Sequence, residues 1–266
     1  MAGLAETFTK LRSNGEKALV LFVTAGDPSL AELPAILECL SEAGADVIEV
    51  GIPFSDPIAD GPVIQASSQR ALDRGVTPSA ILESLSKSKV ASPIVAMGYV
   101  NNALRRGLSR YAGELVESGV SGTIMCDLTV DESDDWIAAS RAADLDTIFL
   151  VAPTSTEERI RLAAEASRGF VYAVSRTGVT GADSPHVRTA LSAGDLVGHL
   201  RAATSTPVCV GFGLSRPDQV RNVCQFADGA IIGSWLVQEI AEKWDSGRGA
   251  RALAAEIRDL KAATRS

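Results

Sequence analysis

Asp46-Val47-Ile48-Glu49-Val50-Gly51 is the stretch on which the fold turns. It is short, bounded by Asp and Gly, and apolar at alternate and adjacent positions alike, apart from one carboxylate. Such a run belongs in a parallel sheet that is covered on both faces. Seven further runs share its character: Leu19–Thr24, Ile94–Tyr99, Thr123–Asp127, Ile148–Val151, Val171–Ser175, Val208–Gly211 and Ala230–Ile232. Amphipathic stretches lie between them. Leu33, Ile36, Leu37 and Leu40 align within Leu30–Ala43, and Glu132–Ala143, Glu157–Ser167 and Gln219–Ala227 read the same way. Trp136 and Trp235 fall in helical stretches and are expected to pack in the core. The tail from Trp244 to Ala263 reads as a last helix, with Leu253, Ile257 and Leu260 on one side.

Strand–helix units that recur about eight times predict an α/β fold of the (β/α)8 TIM-barrel type. No low-complexity linker divides the chain, so residues 1–266 read as a single domain. Leu4, Phe8 and Leu11 at helical spacing add a short N-terminal helix. The competing architecture, an open doubly wound sheet, usually carries a G-x-G-x-x-G turn after its first strand. Here that strand ends Thr24-Ala25-Gly26-Asp27-Pro28.

The 266 residues are 46% hydrophobic and 22% charged, enough apolar content for a sizeable core. The net charge of −8 argues against nucleic-acid and anionic-membrane partners. An anionic substrate would have to be held by local dipoles. Cys39, Cys126, Cys209 and Cys224 are widely spaced and read as buried free thiols in a reducing compartment. No apolar run approaches a membrane span, and Met1–Lys17 lacks the apolar stretch of a signal peptide. A cytoplasmic location is expected.

In a barrel of this kind, chemistry sits at the C-terminal ends of the strands. Side chains alternate along a strand. If Ile48 and Val50 face the helices, Val47, Glu49 and Gly51 face the interior. Burial there raises a carboxyl pKa toward neutrality and suits it to acid and base work. A buried Glu satisfied by a hydroxyl or backbone group is the bland alternative. The following loop, Ile52-Pro53-Phe54-Ser55-Asp56-Pro57-Ile58-Ala59-Asp60-Gly61-Pro62, is long, acidic and stiffened by proline. Asp60 singly could be a helix cap, and Asp56 a turn former. Stability alone rarely calls for such a loop on the catalytic face.

Three glycine-centred turns follow the late strands: Ser175–Gly181, Gly211-Phe212-Gly213-Leu214-Ser215, and Gly233-Ser234. The loops after strands seven and eight are where barrels often bind phosphate, through backbone N–H groups and a helix N-terminus. Glycine that merely ends a strand is the alternative. None of the lysines (10, 17, 87, 89, 243 and 261) lies at the C-terminal end of a strand, which disfavours a Schiff-base aldolase. His186 and His199 form no ligand cluster, so no metal site is expected. Carbon–carbon cleavage would then need a substrate that supplies its own electron sink.

Taken in order, Leu21–Pro28, Glu49–Pro62, Tyr172–Gly181 and Gly211–Ser215 resemble the α subunit of tryptophan synthase across the whole chain. The resemblance implies a lyase that cleaves indole-3-glycerol phosphate to indole and D-glyceraldehyde 3-phosphate, with indole as the electron sink. It implies that Glu49 is the general acid and base, that Asp60 stabilises the indolenine-like intermediate, and that Tyr172 supports the catalytic pocket. Phe22 and Tyr99 match apolar walls. Phe212 falls in a matching substrate-binding turn, Gly181, Gly213, Gly233 and Ser234 match phosphate donors, and Thr180 matches a lid residue that closes toward Asp60. Asp56 matches the contact surface for a β chain in a heterotetramer of two α and two β chains. Pyridoxal phosphate is expected only in that β partner, and no cofactor in this chain. A non-catalytic activator of a β chain and a stand-alone lyase are the alternatives. Two positions depart from the family pattern: Thr129 and Asn102 stand where proline is usual.

Overall fold

The computed structural model describes residues 3–174, 191–211 and 213–265. Among the described residues, nine parallel strands form a nearly closed barrel. They are β1 (Ala18–Thr24), β2 (Val47–Gly51), β3 (Ile94–Gly98), β4 (Val120–Met125), β5 (Asp146–Ile148), β6 (Leu150–Val151), β7 (Val171–Val174), β8 (Val208–Gly211) and β9 (Gly229–Ile232). Their order is β5-β4-β3-β2-β1-β9-β8-β7-β6. The extra strand is the fifth expected one divided in two. β5 pairs with β4, and β6 pairs with β7. Between them the Phe149 amide turns to Ser167 Oγ at 3.3 Å, while its carbonyl accepts from the Tyr172 amide at 3.1 Å. β5 and β6 thus make one stave that changes partner at Phe149, and the barrel has eight staves.

The described helices are α1 (Leu4–Ser13), α2 (Leu33–Ala43), α3 (Pro62–Asp73), α4 (Pro78–Lys87), α5 (Val100–Arg106), α6 (Leu108–Glu117), α7 (Asp134–Ala142), α8 (Glu157–Ala166), α9 (Ala193–Ala203), α10 (Pro217–Cys224), α11 (Ser234–Lys243) and α12 (Ala250–Ala262). The last helix begins at Ala250 and not at Trp244. Trp244 instead ends α11, where its buried ring donates from Nε1 to Glu32 Oε2 at 2.8 Å. A 3-10 turn at Asp245–Gly247, with Ser246 at φ 54°, separates the two helices. Trp136 is buried and Trp235 half-buried, both against the helix-facing core.

Alternation along the strands divides the apolar residues into two cores. Leu19, Leu21, Val23, Ile48 and Val50 pack outward against the helices. Ala18, Val20, Val47, Val95, Ile124, Ile148, Tyr172, Cys209 and Ile231 fill the interior. The second set also takes in Leu4, Phe8 and Leu11, because α1 lies across the N-terminal end of the barrel and closes it. A glycine at 122 and at 169 makes room for that plug, since a Cβ there would lie 3.0 and 2.6 Å from Leu4 Cδ1. No helix among the described residues is long and apolar enough to cross a membrane.

Candidate active site

The open end of the barrel gathers the expected polar residues. Glu49 sits on β2, paired in register with Phe22 of β1 and Val95 of β3, and is only 1% exposed. Its Oε1 has no hydrogen-bond partner. Burial alone pushes its carboxyl up to about 8. The satisfied-carboxylate alternative therefore fails for this group.

The loop after β2 carries Asp60 back over the same rim. Its half-buried carboxylate accepts from the Tyr99 hydroxyl at 3.0 Å, and that hydroxyl accepts from the Ala59 amide at 3.1 Å. Gln65 Nε2 donates to the Asp60 carbonyl at 2.8 Å. Burial raises the Asp60 pKa and the Tyr99 hydrogen bond opposes the rise. Tyr99 thus does more than the apolar wall expected of it. One face of its ring stacks on Phe54, with centroids 4.8 Å apart, while its hydroxyl fixes Asp60. Asp127 steadies the start of α5 behind it, accepting from the Val100 amide at 2.8 Å.

Two polar ties anchor α3, the helix that begins just after Asp60. Thr24 and Ser67 share a buried hydroxyl–hydroxyl bond of 2.7 Å. Asp27, 6% exposed, takes Arg70 through two bonds of 3.0 and 2.6 Å and Arg74 at 3.4 Å. Sequence reading passed over Asp27; an acid after the first strand with arginines one turn apart on the next rim helix was the available signal. Asp56 is exposed on the loop and accepts from Ser55 Oγ at 2.6 Å. Ile58 nearby is 82% exposed, and Leu104 on α5 is 60% exposed.

Tyr172 on β7 is buried, and burial with the neighbouring Glu49 charge drives its phenol well above the ordinary range. It packs on β8, where a Cβ at Gly211 would fall 2.5 Å from its hydroxyl oxygen. Phe22 is buried and lies over Gly51, where a Cβ would come 2.4 Å from its ring. Gly213 has φ 72°, a left-handed conformation that a side chain disfavours. Gly233 precedes α11, a ten-residue helix with no side-chain cap, and Ser234 is its first residue. The first-turn amides of that helix are the ready anion donors of this rim. By contrast, Gln219 Oε1 already takes the Ser215 and Arg216 amides at 2.9 and 3.1 Å. Thr180, Gly181 and Phe212 lie outside the described residues.

Four half-buried side chains at the same mouth were not expected as site residues: Met97, Cys126, Leu150 and Val174, all packed on the interior core. Cys126 and Cys39, expected to be buried thiols, are only half-buried, whereas Cys209 and Cys224 are buried. Extending the alternation from Ile124 along its strand would have found Cys126. The two departures from the family pattern are also placed. The Asn102 amide donates to the Tyr99 carbonyl at 3.1 Å, a bond that proline could not make, while its Nδ2 is buried without a partner. Thr129 is exposed at the start of a 3-10 turn, Val130–Glu132.

Residues 8–265 match the family model described as tryptophan synthase alpha chain. The chain is 45% identical over 265 residues to the tryptophan synthase alpha chain of Geobacter sulfurreducens, covering 99% of each. It is 41% identical to that of Solibacter usitatus over 98% of this chain and 97% of the relative. Among solved structures it is similar to the aminoacrylate-bound tryptophan synthase of M. tuberculosis, with a TM-score of 0.87, 38% identity, and coverage of 99% and 100% of the two chains. A second form of tryptophan synthase from Mycobacterium tuberculosis, in space group F222, gives a TM-score of 0.88 and 40% identity over the whole of both chains.

Proposed function

The chain belongs to the tryptophan synthase alpha chain family, and from that premise we propose that Glu49 and Asp60 divide the chemistry of its reaction. The family reaction is a lyase step in tryptophan biosynthesis: indole-3-glycerol phosphate is cleaved to indole and D-glyceraldehyde 3-phosphate. The observation that carries the assignment is the buried, unpartnered Oε1 of Glu49 at the mouth of the barrel.

With a pKa of about 8, Glu49 holds its proton near neutral pH. It gives that proton to the ring carbon that bears the side chain, and the ring becomes an indolenine-like cation. The resulting carboxylate then takes the proton of the adjacent hydroxyl. As the new carbonyl forms, the carbon–carbon bond breaks and its electron pair returns to the ring. Glu49 ends protonated, as it began. Asp60, with Oδ2 held by Tyr99, offers Oδ1 to the ring N–H and balances the cation. Tyr172 and Phe22 support the ring. Gly213, Gly233 and Ser234, with Gly181 and the lid residue Thr180, receive the phosphate through backbone dipoles, which suits a chain of net charge −8.

Because the indole ring accepts the electron pair, the reaction calls for no cofactor in this chain, and pyridoxal phosphate belongs to the β partner. The family's alpha chain works with a β chain. Two α and two β chains would form the assembly, docked through the loop of Asp56, with the exposed Ile58 and Leu104 on the same rim. A cytoplasmic setting suits the four free thiols. In the test, Glu49→Gln and Asp60→Asn each lower indole release by on the order of 10²–10⁴. Near-normal cleavage by either variant would refute its assigned role. A stand-alone lyase is separated from a subunit by comparing turnover with and without the β chain.

A further inference from the structure

Opposite the phosphate turn stands a thiol that this scheme leaves unused. Counting β5 and β6 as one stave, β4 lies four staves from β9, directly across the barrel. Gly233 and Ser234 follow β9. Cys126 follows β4, two residues beyond Ile124 on the interior face, with its amide bonded to the Gly98 carbonyl at 2.9 Å. Glu49 on β2 lies midway between them, and Tyr172 on β7 faces Glu49 from the opposite stave. A substrate with its phosphate at β9 and its ring beside Glu49 therefore points the far edge of the ring toward β4. Met97 on β3 and Leu150 on β6 flank that direction. Both are longer than cysteine, so Cys126 is the shortest side chain in the middle of the arc. All three are half-buried and packed on the interior core, whereas Val95, Ile124 and Ile148 deeper in the barrel are fully buried.

Building on the lyase reading, we propose that Cys126 is a specificity-determining residue, the end wall of the ring pocket, whose size decides which substituents on the benzo edge of the indole are accepted. Burial and the charges of Asp60 and Asp127 keep its thiol protonated, so it meets the ring as a small polarisable contact and not as a nucleophile.

The test is the reverse condensation of glyceraldehyde 3-phosphate with indole, 5-methylindole and 6-methylindole by the full chain. The readout is the ratio of kcat/KM for each methylindole to that for indole. Cys126→Ala raises the ratio on the order of tenfold for at least one methyl position, and Cys126→Leu lowers it by a similar factor. Cys126→Ser, of nearly the same volume, leaves the ratio near that of the parent chain. Equal ratios across the Ala variant and the parent, or a Ser variant that moves as far as Ala, overturn the proposal; should the Leu variant not fold, the Ala and Ser pair decides. A parent chain that condenses no indole at all removes the lyase reading itself, which is a different result from unchanged ratios.

Discussion

Two carboxylates three residues apart, one just before β2 and one within it, behave in opposite ways. Asp46, just before β2 at the closed end of the barrel, accepts from the Leu19 amide at 2.7 Å and from Lys261 Nζ at 2.8 Å. Lys261 also reaches Glu16 at 3.1 Å and the Lys17 carbonyl at 3.3 Å, so the charges at that end are interlocked. Glu49, three residues later, has an oxygen with no partner. Burial raises the pKa of both acids, but at Asp46 the ammonium and the amide oppose the rise, and at Glu49 nothing does. The closed end is built to be satisfied: α1 plugs it with Leu4, Phe8 and Leu11. The open end keeps an orphan acid, and the closed end supplies the stability that tolerates it.

That contrast can be broken in order of effect. The largest expected result is the pH dependence of stability. The folded pKa of Glu49, about 8, lies above its ordinary value of 4.5, so the folded state holds the extra proton between those two values. Its contribution is therefore fully present below about pH 4.5 and is lost as pH rises through 8. The full ionisation penalty is on the order of 4–5 kcal/mol. Urea unfolding at pH 6 and pH 9 should show the parent chain losing stability that Glu49→Gln keeps. Parallel curves for the two proteins would mean that Glu49 titrates normally.

Next comes the closed end. Lys261→Met strands the Asp46 carboxylate, whose side chain is 14% exposed, and should cost about 3 kcal/mol in denaturant unfolding. Indole release by the folded fraction should stay near the parent value. A loss of turnover without a loss of stability would erase the division between the two ends. The smallest effect belongs to Tyr99→Phe. It preserves the stack on Phe54 but removes the donor to Asp60, and kcat/KM should fall roughly tenfold. If the rate is unchanged, Asp60 is positioned by Gln65 and the loop alone.

Much of this was legible beforehand because strand alternation and barrel polarity are local rules. Val47, Glu49 and Gly51 follow from counting residues, and Glu49 lies where the count places it. The break at Phe149 was not legible, since it depends on Ser167 taking that residue's amide while Tyr172 takes its carbonyl. Tyr99 read as apolar because its ring is, while its hydroxyl finds Asp60 only across a 39-residue separation. Asp27 and its two arginines are likewise separated by more than forty residues.

The sequence by itself determined the repeated strand–helix units, the inward carboxylate and the glycine turns, because each rests on periodicity or on the special freedom of glycine. Only the tertiary structure decided that Asp46 is paired and Glu49 is not. One acid precedes β2 and the other lies within it, and partners contributed by α12 and by β1 reach one end of the barrel alone. Hydrogen-bond satisfaction belongs to the closed three-dimensional arrangement, and no local pattern in the chain records it.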